Sequence, residues 1–569
     1  MTLGQLNAHK WLSWTGTPAY GMQYWHLRPG AGAFGVGDFA ESLAVLLTRH
    51  EGLRTTFPGG GRQRVVASGE LVLHVLTPED APASSALDSA SVDSAALDSA
   101  VDAVVAGLPY DSAVDLPVSA AVLVRSGRVC AAVLRCSHLA ADHKGMAVLG
   151  RELEEMLADP AARVVGAPRH QPLDQAESER RPSMRRRAEN ALDYWGDRLR
   201  RMPANPLAAA PGPGPAESRA MEMVSHAGAA ALARIARRTS LDRSNIVLAA
   251  ILSVLAERTG DPGHLFCALS NNRFFDRRLA DHVGTLAASS LVEVDGGGAT
   301  FDELGARVRA GMVRASMSAM YDAHRMHAIA ERVEHERGVA FNYFPPIFNN
   351  AAAYIRSDAT PDPVRSTEFT WRRMEATPAP LRFDLWRLDA VLAMDAWTGD
   401  TSRIDRPEVE QTLLAVERLL VAAAEDDLSP GEMSGIIDLP RTERGDDWLH
   451  LDSCWVHLPE VQRLLDDTLA PARIFAEVDD RPLVAYVAAT DAVTTPEQAH
   501  ARCMSRLPAH PAAMTPRHYV LCHGTPTTPH DLSSWQRQPV LSEGPGRRLP
   551  TPARREEFNG EPPPRARAV

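Results

Sequence analysis

Two strand-like runs that meet at a tight turn, together with the polar segment after them, most constrain how this chain can fold. Residues 118–135 read VSAAVLVRSGRVCAAVLR, with β-branched and small apolar residues on both sides of Ser126-Gly127. This pattern predicts a β-hairpin. The polar segment 136–145, CSHLAADHKG, follows at once and precedes a predicted helix at 146–157. Its side chains are therefore expected where a strand ends.

Helical and strand-like patterns alternate along much of the remaining chain. Helices are predicted at 37–53, 301–319 and 407–425, with a further pair in 227–258. Strand-like segments are predicted at 264–270, 285–295 and 383–396. Stretches rich in alanine, proline, glycine or arginine predict loops or linkers at 82–104, 159–187 and 203–217. The alternation predicts an α/β protein, but without the strand order of a dinucleotide-binding fold.

Composition excludes several classes of protein. With 45% hydrophobic and 23% charged residues, the 569-residue chain has a globular composition. Its net charge of −12 and its lack of a long Lys/Arg run exclude nucleic acid and anionic membrane as expected partners. The longest apolar stretch, 246–256, is far shorter than the ~18 to 20 residues of a membrane span. Without a secretory signal pattern at the N-terminus, a cytoplasmic location is expected.

The polar segment holds His138, Asp142 and His143 within six residues. An imidazole titrates near neutral pH, so at the end of a strand it can accept a proton from a nucleophile and return it to a leaving group. A hydrogen-bonded core histidine remains the alternative. No metal is predicted, because adjacent Asp142 and His143 would point apart in regular structure.

Residues 137–143, SHLAADH, resemble the HHxxxDG motif of the condensation domains of nonribosomal peptide synthetases and of related CoA-dependent acyltransferases. Further segments resemble the same family in the family's order, over about residues 10 to 430. They are RHEGLRTTF at 49–57, Tyr194-Trp195 with Leu199, Asn272-Arg273 with HVGTL at 282–286, and LRFDL at 381–385.

The resemblance implies two chloramphenicol-acetyltransferase-like lobes, 1–190 and 191–435, with a V-shaped cleft between them. His138 corresponds to the second motif histidine, which would orient or deprotonate the attacking group. Asp142 corresponds to the motif aspartate, which belongs to the catalytic motif and holds its loop through an arginine. Arg273 is our candidate for that arginine.

Three residues of the segment depart from the family pattern or extend it. Ser137 replaces the first histidine, and it can still donate a hydrogen bond to the loop. His143 replaces the glycine, a residue type that often serves where backbone bends or approaches a ligand closely. We expect Ser137, His143 and Lys144 to contribute to substrate binding, with Lys144 facing an acidic or phosphate group. The alternative is a motif that has drifted and lost activity.

Residues 440–538 resemble the C-terminal subdomain of adenylate-forming enzymes, which implies a small α+β unit. The likeness lies in a short amphipathic helix at 458–465, in LVAYV at 483–487 and in the segment 507–520. The catalytic lysine and the ATP-binding core of those enzymes are missing, so a carrier-docking role is expected. The proline-rich, charged residues 539–569 are predicted to be disordered.

The resemblance as a whole implies an acyltransferase of specialised-metabolite or nonribosomal peptide biosynthesis. It would move an acyl or aminoacyl group from the phosphopantetheine thioester of a carrier protein to a small-molecule amine, forming an amide. No bound metal or cofactor is expected, because the partner carrier supplies the phosphopantetheine. Two alternatives stay open. One is an ester-forming enzyme with an alcohol acceptor or an acyl-CoA donor, and the other is an inactive platform that recruits carrier proteins or tailoring enzymes.

Overall fold

The computed structural model describes residues 1–15, 21–27, 34–77, 101–166, 169–212, 214–341, 346–352, 366–373 and 380–548. The chain forms two compact units of mixed α/β structure. The first comprises Met1–Ala330 and Phe341–Arg444. The second comprises Glu331–Ala340 and the described residues from Gly445 onwards, so a segment that the sequence-based division placed in the 191–435 lobe belongs to this unit.

The first half of the first unit is built on a four-stranded sheet with the order β1-β6-β5-β4. Its helices and strands are α1 (Leu3–Thr15), β1 (Met22–Leu27), α2 (Val36–Arg49), β2 (Thr55–Thr56), β3 (Arg64–Val65), β4 (Leu73–Leu76), β5 (Val118–Arg125), β6 (Arg128–Ser137), α3 (His143–Ala158), α4 (Pro172–Glu179) and α5 (Pro182–Leu199).

The predicted hairpin is confirmed as β5 and β6. Ser126 (φ 51°) and Gly127 (φ 76°) both adopt the left-handed conformation that a two-residue hairpin turn requires. One face of the sheet, with Val122 and Leu134, packs in a single core with α2 and α3. The hairpin therefore fixes where β6 ends, and with it the position of the polar segment.

The second half of the first unit is built on a seven-stranded sheet with the order β11-β7-β13-β12-β10-β8-β9. Its elements are β7 (Arg219–Ser225), α6 (His226–Thr239), α7 (Arg243–Thr259), β8 (Gly263–Ser270), β9 (Ala288–Asp295), α8 (Phe301–Ser316), α9 (Ala323–Arg337), β10 (Ile347–Asn350), β11 (Glu368–Arg373), β12 (Leu381–Leu388), β13 (Leu392–Thr398), α10 (Arg406–Ala423) and α11 (Pro430–Ile437). The residues of α9 from Glu331 onwards belong to the second unit.

The core of this half lies between one face of the sheet and α6, α7, α8 and α10, around side chains such as Leu248, Phe383 and Met394. The apolar run in α7 is thus buried inside the protein, as its pattern suggested. Among the described helices, none alone has the length and apolar content of a membrane span; α6 and α7 reach that threshold only together, and they are bent by 106° at the break between them.

The second unit contains a β-hairpin, a four-stranded sheet with the order β16-β17-β18-β19, and three helices. Its elements are β14 (Trp448–Leu451), β15 (Cys454–His457), α12 (Leu458–Thr468), β16 (Ala472–Val478), β17 (Arg481–Ala488), α13 (Pro496–Arg506), β18 (His518–Cys522), α14 (Leu532–Gln536) and β19 (Val540–Gly544). Strands β16 and β17 are joined at Asp479-Asp480, with φ of 50° and 61° at the turn.

Residues 331–340 are held in the second unit by polar contacts. Arg337 donates from Nε to Asp452 at 3.0 Å. The buried ring of His500 lies 3.0 Å from the carbonyl oxygen of His335 through Nε2, and Thr515 donates its backbone N–H to Gly338 at 2.9 Å. This unit is therefore assembled from two separate stretches of the chain.

Two sequence predictions about irregular segments are wrong. The stretch 159–187 was expected to be a loop, yet it contains α4 and the start of α5, whose prolines stand in the first turn, where proline is tolerated. Residues 539–569 were predicted to be disordered, yet Val540–Gly544 pairs with β18 through backbone hydrogen bonds, which need no apolar side chains. Residues 549–569 lie outside the described residues. Residues 82–100 of the predicted linker 82–104 lie outside the described residues. Its last residues, 101–104, belong to a short helix at 101–106.

A glycine in α3 allows β1 to approach that helix closely. A Cβ atom added at Gly150 would lie 2.0 Å from the indole of Trp25, whose Nε1 donates to Glu154 at 3.2 Å. Gly150→Ala should therefore lower the free energy of unfolding by roughly 1–3 kcal/mol, as overpacked sites do. The measurement is urea denaturation. Gly435→Ala in α11, where nothing lies within 4 Å of the added atom, is the matched control; equal stability of the two variants would contradict the prediction.

Candidate functional site

The polar segment of the sequence forms the connection between β6 and α3. β6 ends at Ser137, and α3 begins at His143. Asp142 caps the helix, because its Oδ1 accepts a hydrogen bond from the backbone N–H of Gly145 at 2.9 Å. The side chain of Asp142 is buried. A buried carboxylate requires compensating partners, which the second half of the unit supplies.

Arg273 forms a two-pronged ion pair with Asp142. Its NH1 donates to Oδ2 at 2.8 Å and its NH2 to Oδ1 at 2.7 Å. The backbone N–H groups of Leu286 and Ala287 donate to Oδ2 at 3.0 and 3.1 Å. Burial alone would raise the pKa of Asp142, but Arg273 and these N–H groups outweigh it and lower the pKa to about 2.

The sign of that pKa shift decides when the ion pair contributes to stability. The folded-state pKa of Asp142 lies below its ordinary value of 3.8. Its stabilising contribution is therefore fully present above about pH 4, and is lost as the pH falls through 3.8 towards 2.

Arg273 also fastens the segment that precedes β9. Its NH2 donates to the carbonyl oxygens of His282 and Gly284, at 3.2 and 3.1 Å. Gly145 faces Gly284 so closely that an added Cβ atom would lie 3.3 Å from the Gly284 oxygen. The motif and the segment 282–287 thus form one packed arrangement between the two halves of the unit.

A second ion-pair cluster holds α2 and α3 together behind the motif. The buried carboxylate of Glu152 accepts hydrogen bonds from Arg49 at 2.5 Å and from Arg169, and it lies 3.0 Å from Nε2 of His50. Burial opposes ionisation, but His50 and Arg49 lower the pKa of Glu152 to about 2. The RHE segment that carried part of the family resemblance is therefore fixed to the helix that follows the motif.

The backbone of His138 is held on both sides. Its N–H donates to the carbonyl oxygen of Gly21 at 2.7 Å, and its carbonyl oxygen accepts from the hydroxyl of Thr285. The half-buried imidazole packs against the indole of Trp11, with ring centroids 5.7 Å apart. Burial lowers the pKa of His138, and Asp142 only partly offsets the shift. The ring is therefore neutral at pH 7 and able to accept a proton.

The three other candidate residues of the motif occupy distinct positions. Ser137 is buried, and its Oγ accepts a hydrogen bond from the N–H of Leu139 at 3.3 Å. His143 is half-buried, and burial and the nearby His138 lower its pKa while Asp142 opposes the change. Lys144 follows it in the first turn of α3, also half-buried.

Sequence reasoning missed Trp11 and did not single out Thr285. The N-terminal residues gave no clear helical pattern, so the contact of α1 with the motif had no signal in the sequence. Thr285 lies inside the quoted HVGTL segment, but its side-chain partner could not be read from that string. Across the described ranges, no cluster of three or more His, Cys, Asp and Glu side chains is arranged to hold a metal ion.

The backbone at His143 does not require glycine. This residue opens α3 and lacks the left-handed φ that would favour glycine. We therefore expect His143→Gly to cost up to about 1 kcal/mol of unfolding free energy, as glycine does in helices, and His143→Ala to cost less. Urea denaturation of both variants is the measurement. A glycine variant more stable than the alanine variant would contradict this account of the position.

The sequence matches no known family profile, and no curated protein matches it. Solved structures do match. A condensation domain that mediates chain release from the enacyloxin polyketide synthase is 19% identical, with 74% of this chain and 82% of that chain covered and a TM-score of 0.57.

Two further structures are similar to this chain. The first condensation domain of the calcium-dependent antibiotic synthetase is 15% identical, over 76% of this chain and 97% of that chain, with a TM-score of 0.54. The X-domain of teicoplanin biosynthesis, in complex with OxyB, is 20% identical, over 77% of this chain and 96% of that chain, with a TM-score of 0.52. The chain therefore adopts the condensation-domain fold.

Proposed function

We propose that this protein is a condensation-type acyltransferase. In this proposal it transfers an acyl or aminoacyl group from the phosphopantetheine thioester of a carrier protein to an amine, in specialised-metabolite biosynthesis in the cytoplasm. The observation that carries the proposal is the environment of His138, which lies at the end of β6 as a neutral imidazole beside the Asp142–Arg273 pair. The condensation-domain fold supports it independently.

The reaction needs one group that handles protons. The amine nitrogen attacks the thioester carbonyl carbon, and His138 accepts the proton that the nitrogen loses. The carbon–sulfur bond then breaks, and the phosphopantetheine thiolate leaves and takes that proton from His138, whose imidazole becomes neutral again. Nδ1 of His138 is enclosed by protein, which leaves Nε2 to face the substrate. Proton transfer of this kind contributes roughly 10²–10⁴-fold in rate, and alignment of the two substrates adds to it.

The remaining residues of the motif have supporting roles in this proposal. Asp142 and Arg273 fix the loop that carries His138. Ser137, His143 and Lys144 contribute to binding, with His143 on the acceptor side and Lys144 facing an acidic or phosphate group. The thioester is already activated, so no bound cofactor is required.

The second unit is proposed as the docking element for the carrier protein. Its likeness to the C-terminal subdomain of adenylate-forming enzymes, without their catalytic lysine, supports this role. A truncation from residue 440 would be a poor test, because residues 331–340 belong to the same compact unit and would lose their packing partners. The full chain is therefore the protein to use.

The second candidate function is a platform that binds carrier proteins or tailoring enzymes without catalysis. Ser137 in place of the first motif histidine favours it. The similarity to an X-domain whose structure was determined in complex with OxyB also favours it. The alternative enzyme, which forms an ester with an alcohol or uses an acyl-CoA donor, would employ the same histidine.

Intact-mass analysis of loaded carrier proteins tests the proposal. Aminoacyl- and acyl-loaded carriers, and the matching acyl-CoA, are incubated with the full chain and a panel of amines and alcohols. We expect product formation with an amine, and a rate roughly 10²–10⁴-fold lower for His138→Ala. His324→Ala, at an exposed histidine of α9 in the first unit, is the matched control and should keep the wild-type rate. Circular dichroism verifies folding.

The outcomes separate the candidates. A folded His138→Ala variant with the wild-type rate would exclude His138 as the proton acceptor. Carrier binding without turnover by the wild type, across the whole panel, would favour the platform. Hydrogen exchange of the full chain with and without carrier locates the docking element, and protection confined to the first unit would overturn the role given to the second.

A further inference from the structure

The imidazole of His138 lacks the usual means of orientation. A catalytic histidine is commonly held in place by a hydrogen bond from its second ring nitrogen to a carboxylate or carbonyl group. In the described residues, the buried Nδ1 of His138 has no hydrogen-bond partner. The nearest acidic group of the motif, Asp142, is fully engaged by Arg273 and by backbone N–H groups.

The indole of Trp11 supplies the contact that a hydrogen bond would otherwise make. Its ring centroid lies 5.7 Å from that of the imidazole, with an angle of 58° between the planes. This distance is within the range of favourable contacts between aromatic rings. A rigid, two-ring side chain at this distance restricts rotation of the imidazole and keeps water from one side of it.

Helix α1 is anchored to the same segment that holds the backbone of His138. The side chain of Asn7 donates to the carbonyl oxygen of Ala287 at 3.3 Å, and the hydroxyl of Thr2 donates to the backbone carbonyl oxygen of Thr285 at 3.4 Å. A Cβ atom on Gly4 would lie 2.2 Å from the Thr285 oxygen, so α1 lies directly on this segment. Thr285 in turn donates to the carbonyl oxygen of His138.

The half-buried carboxyl group of Glu179 fixes the start of α1. Glu179 accepts a hydrogen bond from the N–H of Leu3 at 2.7 Å, one of the donors that the first turn of a helix leaves without a partner. The anchors at Thr2, Leu3, Gly4 and Asn7 all precede Trp11 along the helix. They therefore place the indole precisely, and they remain in place when Trp11 itself is changed.

We propose that Trp11 is a positioning residue, which holds the imidazole of His138 in its reactive orientation and shields one side of the ring from water. The catalytic consequence rests on the acyl transfer proposed above. The orientation of the ring and its shielding from water do not depend on that proposed function, because they are properties of the folded protein without substrate.

The test measures the titration of His138 directly by NMR of protein labelled in its histidines, with His138→Gln to assign the signal. Trp11→Phe, which keeps a ring, should leave the pKa of His138 near its wild-type value. Trp11→Ala should raise that pKa towards the ordinary value of 6.5, because water reaches the ring. The charged neighbours Asp142 and His143 are unchanged in every variant. His9→Ala, at an exposed position of α1, is the matched control.

Hydrogen exchange of α1 verifies that the helix stays docked. If exchange in Trp11→Ala shows that α1 has come loose, Trp11→Leu, which keeps apolar volume without a ring, takes its place in the comparison. An unchanged His138 pKa in the variant without a ring, Trp11→Ala or its replacement Trp11→Leu, with α1 docked would overturn the proposal.

The catalytic consequence is tested by measuring turnover of loaded carrier protein by the Trp11 variants. We expect kcat to fall about 10-fold in Trp11→Ala and to recover in Trp11→Phe, with little change in KM. If the wild type itself does not turn over, the proposed function fails, while the NMR titration still decides the role of Trp11. If the wild type is active and Trp11→Ala retains its full kcat, the positioning role is wrong.

Discussion

The ion pair between Asp142 and Arg273 is the interaction on which the site depends. It joins the loop after β6 to the segment before β9, and both partners are buried. Two charges that have left water must be fully satisfied, because removal of either would leave the other uncompensated. The carboxylate of Asp142 accepts hydrogen bonds from the guanidinium of Arg273, from the N–H of Gly145 in the first turn of α3 and from two further backbone N–H groups. One carboxylate therefore sets the start of α3 and the approach of the second sheet at the same time.

His138 depends on that arrangement without contacting the ion pair. Its backbone is fastened to Gly21 on one side and to Thr285 on the other, and Thr285 stands one residue before Leu286, which donates to Asp142. A shift of the segment 282–287 would therefore move both the loop and the histidine. The site is rigid because its parts share anchors, which is the condition for aligning two substrates on one imidazole.

Local patterns allowed much of the fold to be predicted. The hairpin at Ser126-Gly127 could be read directly, since only a few residue pairs accept left-handed φ at both turn positions. Helix α5 was missed because its first half is arginine-rich, and its apolar stripe, which includes Leu192 and Trp195, appears only later. For the site, the motif and its partner Arg273 could be named from the family resemblance, and the structure places them in contact. The helical backbone at His143 and the ring contact of Trp11 could not be predicted, because both depend on how distant segments pack.

A double-mutant cycle on Asp142 and Arg273 tests the central claim most directly. The unfolding free energies of Asp142→Asn, Arg273→Gln and the double variant are measured in urea at pH 7, where Asp142 is ionised. Each single change should cost about 3–5 kcal/mol, and the double variant should cost much less than their sum, with a coupling of at least about 2 kcal/mol. Additive costs, within about 0.5 kcal/mol, would contradict the claim that this pair holds the motif against the second sheet.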